Sequence, residues 1–192
     1  MTFDKLADRC LLFVDERKQM IIELLKEAEL EMTRKCNMYE DTRTYTCDGS
    51  ASYGLPNNYK QIIQVLHDGN KLSAVGEHDI SFENDNTVMT GTPSAYFIRN
   101  GGFYLDSAPS SGEILLSYYA TANGIQDSSD NPSPIISEIY HRDLCDYAVA
   151  MSSAKDSPDM HLRYLQLWNN SIENIRNEDA DRELIHTIRG EI

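Results

Sequence analysis

The chain is short of positive charge: 17 lysines and arginines stand against 31 aspartates and glutamates, a formal net charge of −14. A surface of that sign repels polyphosphate, so sequence-specific nucleic-acid binding is not expected. The same acid suits a wall past which DNA must slide, and it equally suits plain solubility. No apolar run approaches the roughly 20 residues that cross a bilayer, so no membrane span is expected. Asp4, Lys5, Asp8 and Arg9 crowd the first turns, where a secretory leader would carry an apolar stretch. Four cysteines, Cys10, Cys36, Cys47 and Cys145, show no C-x-x-C spacing. They fit free thiols in a reducing compartment better than a disulfide scaffold.

The signatures of catalysis are also missing. There is no G-x-S-x-G elbow, P-loop or G-x-G-x-x-G, and Gly101-Gly102 lies between strand-like segments, where a hairpin reading beats a phosphate cradle. His67, His78, His141, His161 and His186 form no H-x-x-x-H or H-E-x-x-H pair. His141 with Asp143 and Asp146 reads as a solvated helix surface. His78-Asp79 and the Glu83–Asn86 stretch lack the glycine and terminal glutamate of a calcium loop. No catalytic residue, cofactor or metal is expected, and the chain is not expected to be an enzyme.

What the sequence does have is a change of period. Residues 2–39 contain neither proline nor glycine. Their apolar positions, Leu6, Cys10, Phe13, Val14, Ile21, Leu24, Leu25, Ala28 and Met32, follow the spacing of a helix, with Arg17 interrupting the stripe. One helix of that length would reach roughly 50 Å, and it would need a partner along its length. From residue 42 the pattern turns strand-like: Tyr59–His67 runs into Asp68-Gly69, and Ser94–Arg99 into Asn100-Gly101. Both dipeptides are hairpin signals. Glu113–Ala120 is a further strand, Glu83–Asn86 an acidic loop and residues 123–134 a linker. Helical spacing resumes at Ile136, and Ser157-Pro158-Asp159 opens a second C-terminal helix carrying Leu162, Leu165, Trp168, Ile172 and Ile175.

The expected fold is α+β: a long N-terminal helix and a C-terminal helical hairpin packed as a bundle, with an inserted antiparallel β-domain of about five or six strands. The helical body takes residues 1–41 and 135–178, the β-domain 42–122, the linker 123–134 and a C-terminal tail 179–192. Tail residues Leu184, Ile185, Ile188 and Ile192 form an apolar set with little left to bury it. Of the 11 tyrosines, Tyr96, Tyr104, Tyr118 and Tyr119 fall in strands. They suit a packed sheet or subunit interface, and a sugar-binding face equally.

Several of these segments, in order and with similar gaps, resemble the podovirus-type head–tail adaptor proteins of tailed phages. Leu55-Pro56-Asn57-Asn58-Tyr59, then Asp68-Gly69-Asn70-Lys71-Leu72, resemble the opening of that family's β-domain. Gly91-Thr92-Pro93-Ser94-Ala95-Tyr96 resembles its G-x-P-x-x-Y strand start. Tyr104–Pro109 followed by Leu115–Ala120 resembles its L-x-P-x-P and L-x-Y-Y-A strand pair, with Ser107 where the family usually has proline. The Asp143–Ala154 helix and the Trp168–Ile172 pattern complete the match over residues 55–175, which contains no catalytic motif. Asp127–Pro134 is more polar than the family pattern.

The resemblance implies a structural virion protein in the neck of a phage particle, assembled in the host cytoplasm. It implies a homo-oligomeric ring of twelve copies under the portal protein, docking a tail or nozzle protein and passing genomic DNA without reading its sequence. By that analogy Leu184, Ile185, Ile188 and Ile192 are the portal-interface candidates. Phe13, Ile21, Leu24, Tyr96 and Tyr118 are the subunit-interface candidates. The alternatives are another structural virion component (neck, baseplate or tail assembly) and, further off, a carbohydrate-binding module using the Tyr96/Tyr118 sheet face.

Overall fold

The protein's structure, a computed structural model, describes residues 1–77, 89–123 and 132–189, with side chains as far as residue 180. The Glu83–Asn86 loop, His78, Asp79, most of the polar linker and Ile192 therefore lie outside the described residues. The fold is α+β, and the chain divides into two units: Met1–Tyr39 with Thr121–Ile192, and Glu40–Ala120.

In the first unit the single helix expected over residues 2–39 is two, α1 (Phe3–Cys10) and α2 (Lys18–Lys35). The Thr2 hydroxyl accepts from Lys5 N–H at the start of α1. At its end the Leu12 and Phe13 N–H groups bond to the carbonyls of Arg9 and Cys10, tightening the last turn to 3-10 geometry. The chain then turns back, and Lys18 Nζ reaches Asp4 Oδ2 at 2.9 Å and Asp8 Oδ1 at 2.6 Å. Arg17, which interrupts the apolar stripe, is the residue before α2. A continuous helix would have left its stripe in search of a partner, whereas the folded pair buries Leu6 and Cys10 alongside Ile21 and Leu25.

A 3-10 turn (Glu138–Tyr140) leads into α3 (His141–Ser153), and α4 (Pro158–Arg189) runs back beside it. The Ser-Pro-Asp signal marks the start of α4 correctly: Pro158 is its first residue and Asp159 lies in its first turn. Trp168, 1% exposed, is the largest of the fully buried side chains, and its ring lies 5.0 Å from that of Tyr147. The expected separate tail is a continuation of α4 as far as Arg189. Asn177–Glu183 is polar but holds no glycine or proline, and its alanine, glutamates and arginine suit a helix, so polarity there does not end one.

Two side chains of α2 fasten the chain where it returns to this unit. Glu29, 6% exposed, accepts from the N–H groups of Ile135 at 2.6 Å and Ile136 at 3.3 Å. Thr33 Oγ1 donates to the Glu29 carbonyl at 2.9 Å and accepts from Ala122 N–H at 2.9 Å. Backbone donors that would otherwise be orphaned are thereby satisfied.

The second unit is built of ten strands among the described residues: β1 (Glu40–Thr46), β2 (Ser52–Gly54), β3 (Tyr59–His67), β4 (Asn70–Lys71), β5 (Ser73–Ala74), β6 (Met89–Thr90), β7 (Ala95–Arg99), β8 (Gly102–Leu105), β9 (Ser107–Ala108) and β10 (Glu113–Ala120). They form two four-stranded sheets, β1-β10-β3-β4 and β2-β8-β7-β5, and the pair β6-β9. The single sheet of five or six antiparallel strands is thus corrected. Pairing is mainly antiparallel, but β5 with β7 and β6 with β9 are parallel. Of the strands not expected, β2, β6 and β9 are two or three residues long, too short to show a period, and β1 is a mostly exposed edge strand without an apolar alternation. Both hairpin signals hold: Asp68 and Gly69 (φ 47° and 81°) and Asn100 and Gly101 (φ 48° and 76°) take the double left-handed backbone of a type I′ turn. Tyr45, Tyr53 and Phe103 pack ring on ring with centroids 5.4 to 5.6 Å apart.

Candidate functional site

The most distinctive surface of the helical unit is a groove of about 290 Å³ where α1, α3 and α4 converge. Arg9, Cys10 and Phe13 come from the end of α1 and the turn after it; Arg142, Cys145, Asp146 and Val149 from α3; Arg163, Tyr164 and Leu167 from α4. The spacing on each helix is three or four residues, which puts these positions on one face. Leu12 and Phe13 in the α1–α2 turn are 79% and 54% exposed, and Leu167 is 38% exposed. Three arginines thus gather around apolar side chains in a chain that is otherwise rich in acid.

Among the described residues Arg9, Arg142 and Arg163 form no ion pair. Asp146 lines the groove but is 8% exposed, and burial holds its carboxyl above the ordinary range while Arg142 pulls it back. Asp143 is likewise raised by burial and accepts from Ser171 Oγ at 2.8 Å. The two thiols at the floor are neighbours: hydrogen bonding with Cys145, then burial, pushes the Cys10 thiol up, so it stays protonated and unreactive. Phe13 also lines a second cavity of about 340 Å³, whose acids are Asp15, Glu16 and Asp156.

His141 with Asp143 and Asp146 is not the solvated surface expected. His141 is 3% exposed, donates from Nε2 to the Ile136 carbonyl at 3.2 Å, and is held below its usual pKa by burial. α3 packs against α1, α2 and α4, which leaves it little solvent face. His141 Nδ1 is buried without a partner among the described residues.

Of the subunit-interface candidates, Phe13 faces outward and Leu24 is half-buried at the edge of α2. Ile21 is fully buried in the core of its own unit. Tyr96 and Tyr118 are 8% and 2% exposed, and the Tyr118 hydroxyl donates to Asp41 Oδ2 at 3.0 Å with Asn58 Oδ1 at 3.1 Å. A sugar-binding face made of those two rings is therefore not available: both are spent inside the β unit. Positions 184, 185 and 188 lie on the last turns of α4 and share one side of the helix. The arginine groove was not singled out in the sequence. Its parts lie over 150 residues apart, and only the packing of three helices brings them together.

Exposed apolar side chains beside three arginines make this groove a surface suited to docking. Residues 1–188 match the family model described as SU10 adaptor protein. The chain belongs to the SU10 adaptor family, structural adaptor proteins of the bacteriophage virion. No curated protein matches the chain. No helix among the described residues is long and apolar enough to cross a membrane.

Proposed function

We propose that this adaptor is of the podovirus head–tail type: twelve copies close into a ring beneath the portal, prolong the DNA channel and offer the tail or nozzle protein a platform. The observation that carries the reading is α4. Its 32 residues extend about 48 Å. Within it Asp179 accepts from Asn37 N–H at 2.8 Å, just past the end of α2. The helix continues ten residues beyond Asp179, to Arg189, and carries positions 184, 185 and 188. Leu184, Ile185 and Ile188, with Ile192 beyond, are a docking segment for the portal. An apolar set on one side of a helix is the standard anchor of helix-in-groove recognition.

Electron microscopy of the protein mixed with its portal should show a twelvefold ring at the portal's exit; particles that stay monomeric and ignore the portal would refute the reading. Removing residues 182–192 should weaken portal attachment while the far-ultraviolet dichroism of the remaining helices persists. Unchanged portal affinity would remove the C-terminal segment from the interface.

A further inference from the structure

We infer that the arginine groove receives the acidic face of α2 from a second copy of this chain, so that the two form a head-to-tail subunit contact. The inference rests on the ring reading and names the surfaces that would close it.

The groove is concave and carries a net positive charge. Arg9, Arg142 and Arg163 surround it, all three exposed, and Asp146, nearly buried at 8% exposure, is the carboxylate within it. Its apolar wall is Phe13, Tyr164 and Leu167. A groove of this kind recognises carboxylates interspersed with apolar side chains on a convex element.

α2 supplies such an element. Met20, Glu23, Leu24 and Glu27 fall at steps of three and four residues on one side of α2, bordering its buried stripe of Ile21, Leu25 and Ala28. Met20 is 42% exposed, Glu23 and Glu27 are exposed, and Leu24 is half-buried. One contact is already made: Glu27 Oε1 accepts from Tyr147 Oη at 3.0 Å, which leaves its second oxygen for a guanidinium. The rival acids Asp15, Glu16 and Asp156 line a cavity of their own. Asp15 and Asp156 are exposed there, but they lie in turns rather than along one helix face, so they do not form a convex row of acids and apolar side chains.

The two surfaces also lie on different sides of α3. Arg142, Cys145, Asp146 and Val149 form its groove face, whereas Tyr147, which reaches toward α2, points roughly 100–160° away around the helix. Two different patches on opposite flanks make a heterologous contact, the kind that closes rings; a two-fold contact would bring a patch onto itself.

Two full-length variants test this, one with Arg9, Arg142 and Arg163 each changed to Glu, the other with Glu23→Lys and Glu27→Lys. In sedimentation velocity at low ionic strength the wild type should self-associate, and high salt should disperse it. Each variant alone, with unchanged circular dichroism, should associate on the order of a hundredfold more weakly. An equimolar mixture should regain association, because each variant's groove then meets an α2 face of opposite charge. A wild type that never associates, a variant that associates as well as wild type, or a mixture that stays dissociated overturns the inference. So does rescue of the Arg variant by Asp15→Lys with Asp156→Lys in place of the α2 changes. If microscopy shows rings on the portal with both variants intact, the contact is wrong and the ring stands; if no chain forms a ring, both fall.

Discussion

Glu29 shows what one carboxylate does in the helical unit. Burial pushes its pKa up to about 6 from an ordinary 4.5, although the Ile135 and Ile136 N–H groups pull the other way. Because the folded state holds this proton more tightly than the unfolded chain, the group's contribution favours folding below 4.5 and is lost as pH rises through 6. The shift is worth about 2 kcal/mol at neutral pH. Glu29→Gln keeps an acceptor for the two N–H groups and removes the charge. It should therefore be more stable than the parent at neutral pH by up to about 2 kcal/mol, with the difference fading as pH falls toward 4.5. Chemical denaturation across that range checks it, and a gain that did not change with pH would show that Glu29 is not the titrating group. Glu29→Ala, by contrast, strands the two N–H donors and should lose about 1–3 kcal/mol at pH below 4.5, a loss that shrinks by about 2 kcal/mol as pH rises through 6. The sequence could not reveal this residue: a glutamate at the margin of an apolar stripe reads as surface until the chain returning from the β unit covers it.

At the level of elements, periodicity and turn chemistry were legible and interruption was not. Asp68-Gly69 and Asn100-Gly101 announced their turns because few residues accept two successive positive φ angles. α4 announced its start through Pro158. The break between α1 and α2 was hidden, since it uses no helix-breaking residue and follows from what each half can bury once the pair folds. The end of α4 is hidden for the opposite reason: a polar run without glycine or proline looks like a stop yet continues the helix. Trp168 tests how far the helical unit depends on α4. Trp168→Ala removes a side chain that is 1% exposed and packed on Tyr147, and should cost about 3–5 kcal/mol. Leu162→Ala, at a position 62% exposed on the same helix, should stay within about 0.5 kcal/mol of the parent. Since Trp168 is the sole tryptophan, the comparison calls for far-ultraviolet dichroism. Equal losses in the two variants would mean that α4 is held by something other than this core.

For the whole molecule, the absence of recognisable chemistry in the sequence pointed to a structural role, and ordered β motifs pointed to an adaptor; the family match agrees with both. The groove stayed invisible because it exists only in three dimensions, yet the charge that makes it conspicuous was plain from composition. On the proposed ring reading, a net charge of −14 would also set how the molecule meets DNA. Repulsion of phosphate extends about a Debye length, close to 8 Å at physiological ionic strength, so a channel wall of this sign holds a moving duplex off without gripping it. Three arginines facing a neighbouring subunit would add nothing to DNA affinity, being neutralised in the contact. The full chain should therefore leave the fluorescence anisotropy of a labelled duplex unchanged at physiological salt, and a map of the assembled ring should show a lumen lined mainly by aspartate and glutamate. A lumen lined chiefly by lysine and arginine, or tight duplex binding that weakens steeply with salt, would mean that the acid lies on the outside and that the channel holds its DNA by direct contact.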